Sequence, residues 1–423
     1  MCSCILPDVP QTFCNICTII LNHSCKEIPV HFNRTLDTLG SLKRWPMLSL
    51  CAVITSLVVT FIVGCGGGAK NDQEILIGEY SSLTGTAGQF GVSTNQGLAL
   101  AVEEVNTAGG VLGKKIKVLT EDTQSKPEEA ATAVTKLINR DKVVAIVGEV
   151  ASGRSLAAAP ICQSNQIPMV TPSSTNPKVT QVGDYIFRCC FIDPFQGTVC
   201  ANFAYNSLKV KRVAILKDVK NEYSIGLAEF FTQKFTALGG TIVAEQAYSE
   251  GDNDFKAQLT ALKSANAELI FVPGYYGEAA LIVKQARELK IMIPFLGGDG
   301  WDSGKLLEIG GEAMNGTYYC NHYTPDDTSG LVRQFVANYK AKFNEVPDAV
   351  AALAYDAGRI LFAAMTRAGT TEGPKVRDEL ARTKNFPGVA GMVTMDEHRN
   401  ATKSAVIIQI QNQKLAYKET ILP

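Results

Sequence analysis

From residue 74 onward, short runs that are almost continuously apolar alternate with longer segments whose apolar side chains recur every three or four positions. The runs at 75–80, 116–121, 143–148 and 168–170 read as strands buried on both faces, the pattern of a parallel sheet covered by helices on each side. Leu98, Ala101, Val102 and Val105 mark one helical face between them. Ser125-Lys-Pro-Glu128 has the form of a capping box with Pro127 in the first turn, opening a helix toward residue 140. A third helix is predicted over 151–163.

A second series begins after Asp193. Strands are predicted at 213–217, 241–246, 269–272 and 295–297, with helices near 224–237, 254–265 and 278–289. A strand at 317–321 follows, then helices near 331–343, 349–368 and 375–382, and a last strand at 406–410. This alternation predicts an α/β protein of two doubly wound parallel-sheet lobes with a ligand cleft between them. Crossings are expected near 190–193, 320–322 and 392–396. Lobe 1 is then 74–191 plus 322–392, and lobe 2 is 192–321 plus 393–423. In open parallel sheets, ligands bind beyond the carboxyl ends of the strands.

The amino terminus reads as an address. Lys43-Arg44 precede an apolar run at 47–63, broken only by Ser49, Thr55, Ser56 and Thr60. That is a secretory layout. A run of ~17 residues also reaches the lower limit for a membrane span, so an uncleaved anchor is the competing reading. Ile62-Val63-Gly64-Cys65 resembles a bacterial lipobox, whose cysteine receives diacylglycerol. On that reading 43–64 is a signal peptide and Cys65 the lipidated residue. Residues 65–73 form a glycine-rich tether, and 1–42 are an extension outside the fold.

Composition removes several function classes. The 423 residues carry 40 basic and 41 acidic side chains, a formal charge of −1. Such a chain lacks the basic surface that non-specific nucleic-acid binding needs. The four His residues show no ligand spacing, so no metal site is expected. Of twelve Cys, six (Cys2, Cys4, Cys14, Cys17, Cys25, Cys51) precede Cys65. The other five (Cys162, Cys189, Cys190, Cys200, Cys320) are an odd number and are expected to be structural thiols. Cys14-Asn-Ile-Cys17 has the CxxC form but no second pair. Gly109-Gly-Val-Leu-Gly113-Lys114-Lys115 is one residue short of a phosphate loop and lacks the following hydroxyl, and no GxSxG occurs. The chain reads as a binding protein, without an enzymatic activity or a cofactor.

The strand ends carry the candidate site. Glu149-Val-Ala-Ser152-Gly153 and Thr171-Pro-Ser173-Ser-Thr175 present hydroxyls and free N–H groups, suited to a carboxylate or other small anion. The plainer alternative is a helix cap and a turn. Tyr223, Tyr275 and Asp299 follow strands of the second series, Asp299 within Gly297-Gly298-Asp299-Gly300-Trp301, where the glycines permit a sharp turn. An acidic group among aromatics, opposite an anion cradle, matches a zwitterion with an apolar side chain.

These residues carry a resemblance. Ile77-Gly-Glu-Tyr-Ser-Ser-Leu-Thr-Gly85, Gln89-Phe-Gly91, Val105-Asn-Thr-Ala-Gly-Gly-Val-Leu-Gly113 and Ile167-Pro-Met-Val-Thr-Pro-Ser-Ser-Thr175 are similar to stretches of the branched-chain amino-acid-binding proteins of ABC importers. The likeness runs from about residue 74 to the end of the chain. It implies the type I periplasmic-binding-protein fold, an exported monomer, an amino-acid ligand (Leu, Ile or Val) and an ABC permease as partner. An amide, urea or other small solute, or service to a sensory receptor, is the alternative. By resemblance Ser152 and Thr175 hold the α-carboxylate, Ser173 offers main-chain groups, and Asp299 takes the α-ammonium. Tyr223 and Tyr275 are cleft tyrosines of the second lobe, and Phe90 packs near the ligand side chain. Two features depart from the family: Asp299 stands where leucine-type members often carry Glu, and Thr123 and Ala151 replace the first-lobe disulfide of some relatives.

Overall fold

A computed structural model describes residues 74–422. Residues 1–73, which the sequence reads as extension, signal peptide, lipidated Cys65 and tether, lie outside the described residues. Lobe 1 is built on β1 (Glu74–Ser81), β2 (Lys115–Asp122), β3 (Ala145–Val147), β4 (Met169–Thr171) and β5 (Ile186–Arg188), all parallel, in the order β2-β1-β3-β4-β5. Helices α1 (Gly88–Thr107), α2 (Pro127–Asn139) and α3 (Ser152–Ser164) connect the first four strands. Apolar clusters cover both sheet faces, which is why the strands read as unbroken apolar runs.

Helix α4 (Asp193–Asn202) opens lobe 2. Its strands β6 (Arg212–Asp218), β7 (Thr241–Tyr248), β8 (Leu269–Val272), β9 (Phe295–Gly297) and β10 (Tyr318–Asn321) pair in parallel. Helices α5 (Glu222–Ala237) and α6 (Tyr276–Glu288) pack with them. Back in lobe 1, α7 (Ala349–Ala368) packs with core-facing residues that are almost all buried. This helix is long and apolar enough to cross a membrane, but 83% of its apolar window is buried inside the fold. Strands β11 (Phe386–Gly388), β12 (Gly391–Met395) and β13 (Ala401–Thr402) form a small antiparallel sheet. Then β14 (Ala405–Gln411) extends the lobe 2 sheet antiparallel to β10, and β15 (Lys414–Ile421) pairs antiparallel with β14 at the sheet edge.

Three expectations change. The second sheet is mixed, because β14 runs against β10 and the other strands, and β15, its hairpin partner, turns back to run in their direction. The third crossing lies between Ala401, which packs in the lobe 1 core with Val393 and Met395, and Ala405, which packs in lobe 2. The boundary expected at 392–396 is therefore about ten residues early, since 391–395 are held in lobe 1 by pairing with β11 and β13. Ser125 caps no helix: the N-cap of α2 is Lys126, without a side-chain bond. Ser125 instead sits at φ 60°, accepts the N–H of Ala87 at 3.1 Å and donates to the Thr84 carbonyl at 2.8 Å. It is spent on closing the loop after β1.

Cys190 packs in the lobe 1 core and Phe191 in that of lobe 2; Cys320 packs in lobe 2 and Tyr323 in lobe 1. The five cysteines of the described residues are free and buried. Burial pushes the Cys190 thiol up to about 12, far from the reactive thiolate form.

Candidate functional site

The carboxyl ends of the strands deliver the site. Phe90 projects from α1, Val150 follows β3, Ser173 follows β4, and Val350 stands in the first turn of α7. Across from them, Tyr223 lies in the first turn of α5, Tyr275 precedes α6, and Asp299-Gly300 form a tight turn after β9. Together these eight residues line a cavity with an empty volume of about 240 Å³. Only about 10 Å³ of it admits the centre of a water-sized sphere, so the lobes leave room for a small solute at most. Five of the seven sequence-predicted residues are in this lining: Phe90, Ser173, Tyr223, Tyr275 and Asp299.

Ser152 and Thr175 are buried beside the lining. The Ser152 hydroxyl accepts the Asn176 N–H at 3.2 Å, and the Thr175 hydroxyl has no hydrogen-bond partner. Asp193, directly after the first crossing, is fully buried with neither carboxyl oxygen bonded. The Thr175 hydroxyl lies close enough to relieve part of this cost without meeting hydrogen-bond geometry. Burial pushes the Asp193 carboxyl up to about 8, so at pH 7 it is a neutral acid. The native state thus binds this proton more tightly than the unfolded chain. Its stabilising effect is lost as pH rises from 3.8 to about 8. Asp193→Asn, which keeps the neutral shape, should flatten the fall in denaturation midpoint measured from pH 5 to pH 8. Superimposable pH profiles for the two proteins would count against this.

Asp299 is held at every atom it can offer. Gln196 from α4 donates Nε2–H to Oδ1 at 2.9 Å and accepts the Asp299 N–H on Oε1 at 2.9 Å. His322 Nε2 stands 2.9 Å from Oδ2, and Ser173 Oγ reaches the same oxygen from lobe 1 at 3.4 Å. Tyr223 accepts the Gly300 N–H at 3.2 Å, and its ring stacks on Tyr275 at 5.4 Å and 7°. Phe90 meets Tyr275 edge-on at 5.5 Å. Burial raises the phenol pKa of Tyr223 and of Tyr275, so both rings stay neutral; the Tyr275 hydroxyl is unpartnered.

The glycines around Asp299 serve close approach, and none has a positive φ. A Cβ on Gly298 would lie 2.3 Å from both Gln196 Oε1 and Tyr223 Oη, and one on Gly300 would lie 2.7 Å from the Gly274 carbonyl. Nor is Asp299 left accessible, since it is 7% exposed.

The lobes meet across the cleft. Arg154 Nη2 and Thr86 Oγ1 both donate to Glu250 Oε1, at 2.7 and 2.6 Å. Lys178 pairs with Glu222 at 2.9 Å, and Asn176 Nδ2 donates to the Glu222 carbonyl at 2.7 Å. Asp302 of lobe 2 accepts the Ala349 N–H at the start of α7 at 2.6 Å. Val150, Val350, Gln196 and His322 were not singled out by the sequence. Val350 has only its place two residues after the N-cap Asp348 to betray it. The arrangement can bind a small zwitterion, with one carboxylate, aromatic walls and hydroxyl donors.

Comparison with known proteins gives the same assignment. The periplasmic binding protein family matches residues 74–414. The chain is 31% identical over 354 residues to the Leu/Ile/Val-binding protein BraC3 of Rhizobium johnstonii, covering 83% of this chain and 95% of that one. The leucine binding protein LivK of Thermotoga maritima is 42% identical with a TM-score of 0.80, over 82% of this chain and 99% of its own. LivJ of Streptococcus pneumoniae, a branched-chain amino acid transporter substrate binding protein solved with isoleucine, is 35% identical with a TM-score of 0.79, over 83% and 100%. The chain belongs to the periplasmic binding protein family.

Proposed function

We propose that this protein is an extracytoplasmic substrate-binding lipoprotein that captures a branched-chain amino acid (Leu, Ile or Val) and delivers it to an ABC permease. One observation carries the reading: Asp299 is the single carboxylate in a small cavity between two lobes whose other walls, Ser173 and Gly300 apart, are aromatic and aliphatic. A buried carboxylate calls for a cation, and the walls call for an apolar side chain. Ser173, with the free hydroxyl of Thr175 behind it, offers the donors for the other end of a zwitterion. Ser152 completes this end: its oxygen accepts the Asn176 N–H, which leaves its O–H to donate to the ligand. The relatives named for Leu, Ile and Val binding support the choice of ligand. Cys65 is the proposed lipid attachment point, which mass spectrometry of the membrane-extracted amino terminus reads directly.

A thermal-shift panel of amino acids, aliphatic amides and urea tests the ligand class. A ligand that binds only the native state at a hundred times its Kd stabilises it by about 2.7 kcal/mol. Leucine, isoleucine or valine should raise the midpoint. A rise with urea or an amide and none with these three would overturn the reading.

A further inference from the structure

His322 is the first residue after β10 and lies on the second crossing, between Cys320 in one core and Tyr323 in the other. Its ring stacks on Phe191, just past the first crossing, at 3.6 Å and 27°. The imidazole is fully buried, with Nδ1 unpartnered and Nε2 2.9 Å from Asp299 Oδ2. Burial pushes it down to about 4, so at neutral pH the ring is uncharged. A carboxylate only accepts, hence the single ring proton sits on Nε2. Gln196 is the matching neutral donor on Oδ1. Among the described residues no Lys or Arg pairs with Asp299, so its neutral side-chain donors, Gln196, His322 and Ser173, orient the carboxylate without cancelling its charge.

We propose that His322 is a positioning residue for cation recognition: a neutral hinge imidazole that aims the Asp299 carboxylate at the ligand's ammonium and ties it to the lobe crossing. This rests on the amino-acid reading above. A cationic donor in the same place would neutralise Asp299 and weaken the pull on the ligand; a neutral one leaves the full charge available.

The experiment is calorimetry on the full chain with L-leucine and with 4-methylpentanoate, the same molecule without its ammonium. His322→Phe keeps the stack on Phe191 and removes the donor; His322→Gln restores a neutral donor. The Phe variant should bind leucine about tenfold or more weakly, the usual scale for one hydrogen bond to a charged group. Its affinity for 4-methylpentanoate should be unchanged, and the Gln variant should recover most of the leucine affinity. Equal losses for both ligands would reduce His322 to a structural part and overturn the proposal, as would unchanged leucine binding. A wild-type protein that binds 4-methylpentanoate as tightly as leucine would instead remove the amino-acid reading itself.

Discussion

Asp299→Ala is expected to weaken leucine binding by about 2–5 kcal/mol while leaving the fold intact. The ammonium of the ligand leaves water as the lobes meet, and Asp299, 7% exposed, is the one carboxylate in the lining. Without it a desolvated cation has no counter-charge, and the N–H of Gln196 and the imidazole of His322 lose their acceptor as well. Calorimetry against leucine measures the loss. Wild-type affinity in the variant would place the ammonium elsewhere or show that the ligand has none, which turns attention to amides and urea.

Asp356→Ala is expected to destabilise the fold by about 3–5 kcal/mol, with no residue of the cavity touched. Asp356 lies on α7 with no exposed surface, and its two oxygens accept the N–H groups of Val389 and Ala390, each at 2.9 Å. Gly388 makes this approach possible, since a Cβ there would lie 2.6 Å from Oδ2. Burial pushes the carboxyl up to about 6, and the same carboxylate supports the buried ammonium of Lys403, itself pushed down to about 8 by burial. Truncation strands two N–H groups and removes the charge facing Lys403. Chemical denaturation at pH 7.5 measures the cost, and Asp356→Asn, which retains one acceptor, should fall between. A change below about 1 kcal/mol for the Ala variant would show that water replaces the carboxylate without penalty.

What the sequence made legible follows from how each part is stabilised. The parallel strands announce themselves because both faces are buried, as in β8 and β9, where every residue is inside. Helix α7 is visible for the same reason. The hairpin strand β15 is mostly exposed, with Tyr417 half in water, so no apolar pattern marks it. β11 to β13 are two to five residues long and exist only through pairing with one another. Within the site, Asp299 stood out through its flanking glycines and its place after a strand. Val350 and His322 carry no local signature, because their roles arise when α7 and the second crossing are brought against residues far away in the chain. Ser125 misled for the converse reason: its local motif is genuine, but a tertiary contact claims the hydroxyl first.

The contacts across the cleft also set the pace of escape. On the proposed function, a solute held between Phe90, Tyr275 and Asp299 leaves as the lobes part, so the tightness of binding is expected to show in residence time. Lys178–Glu222 adds little to that wait, its side chains being 66% and 41% exposed and screened by salt. The hold falls on Arg154 and Glu250, whose side chains are 3% and 29% exposed. An acceptor that draws Glu250 away, or offers Arg154 another anion, would shorten the wait without touching the ligand.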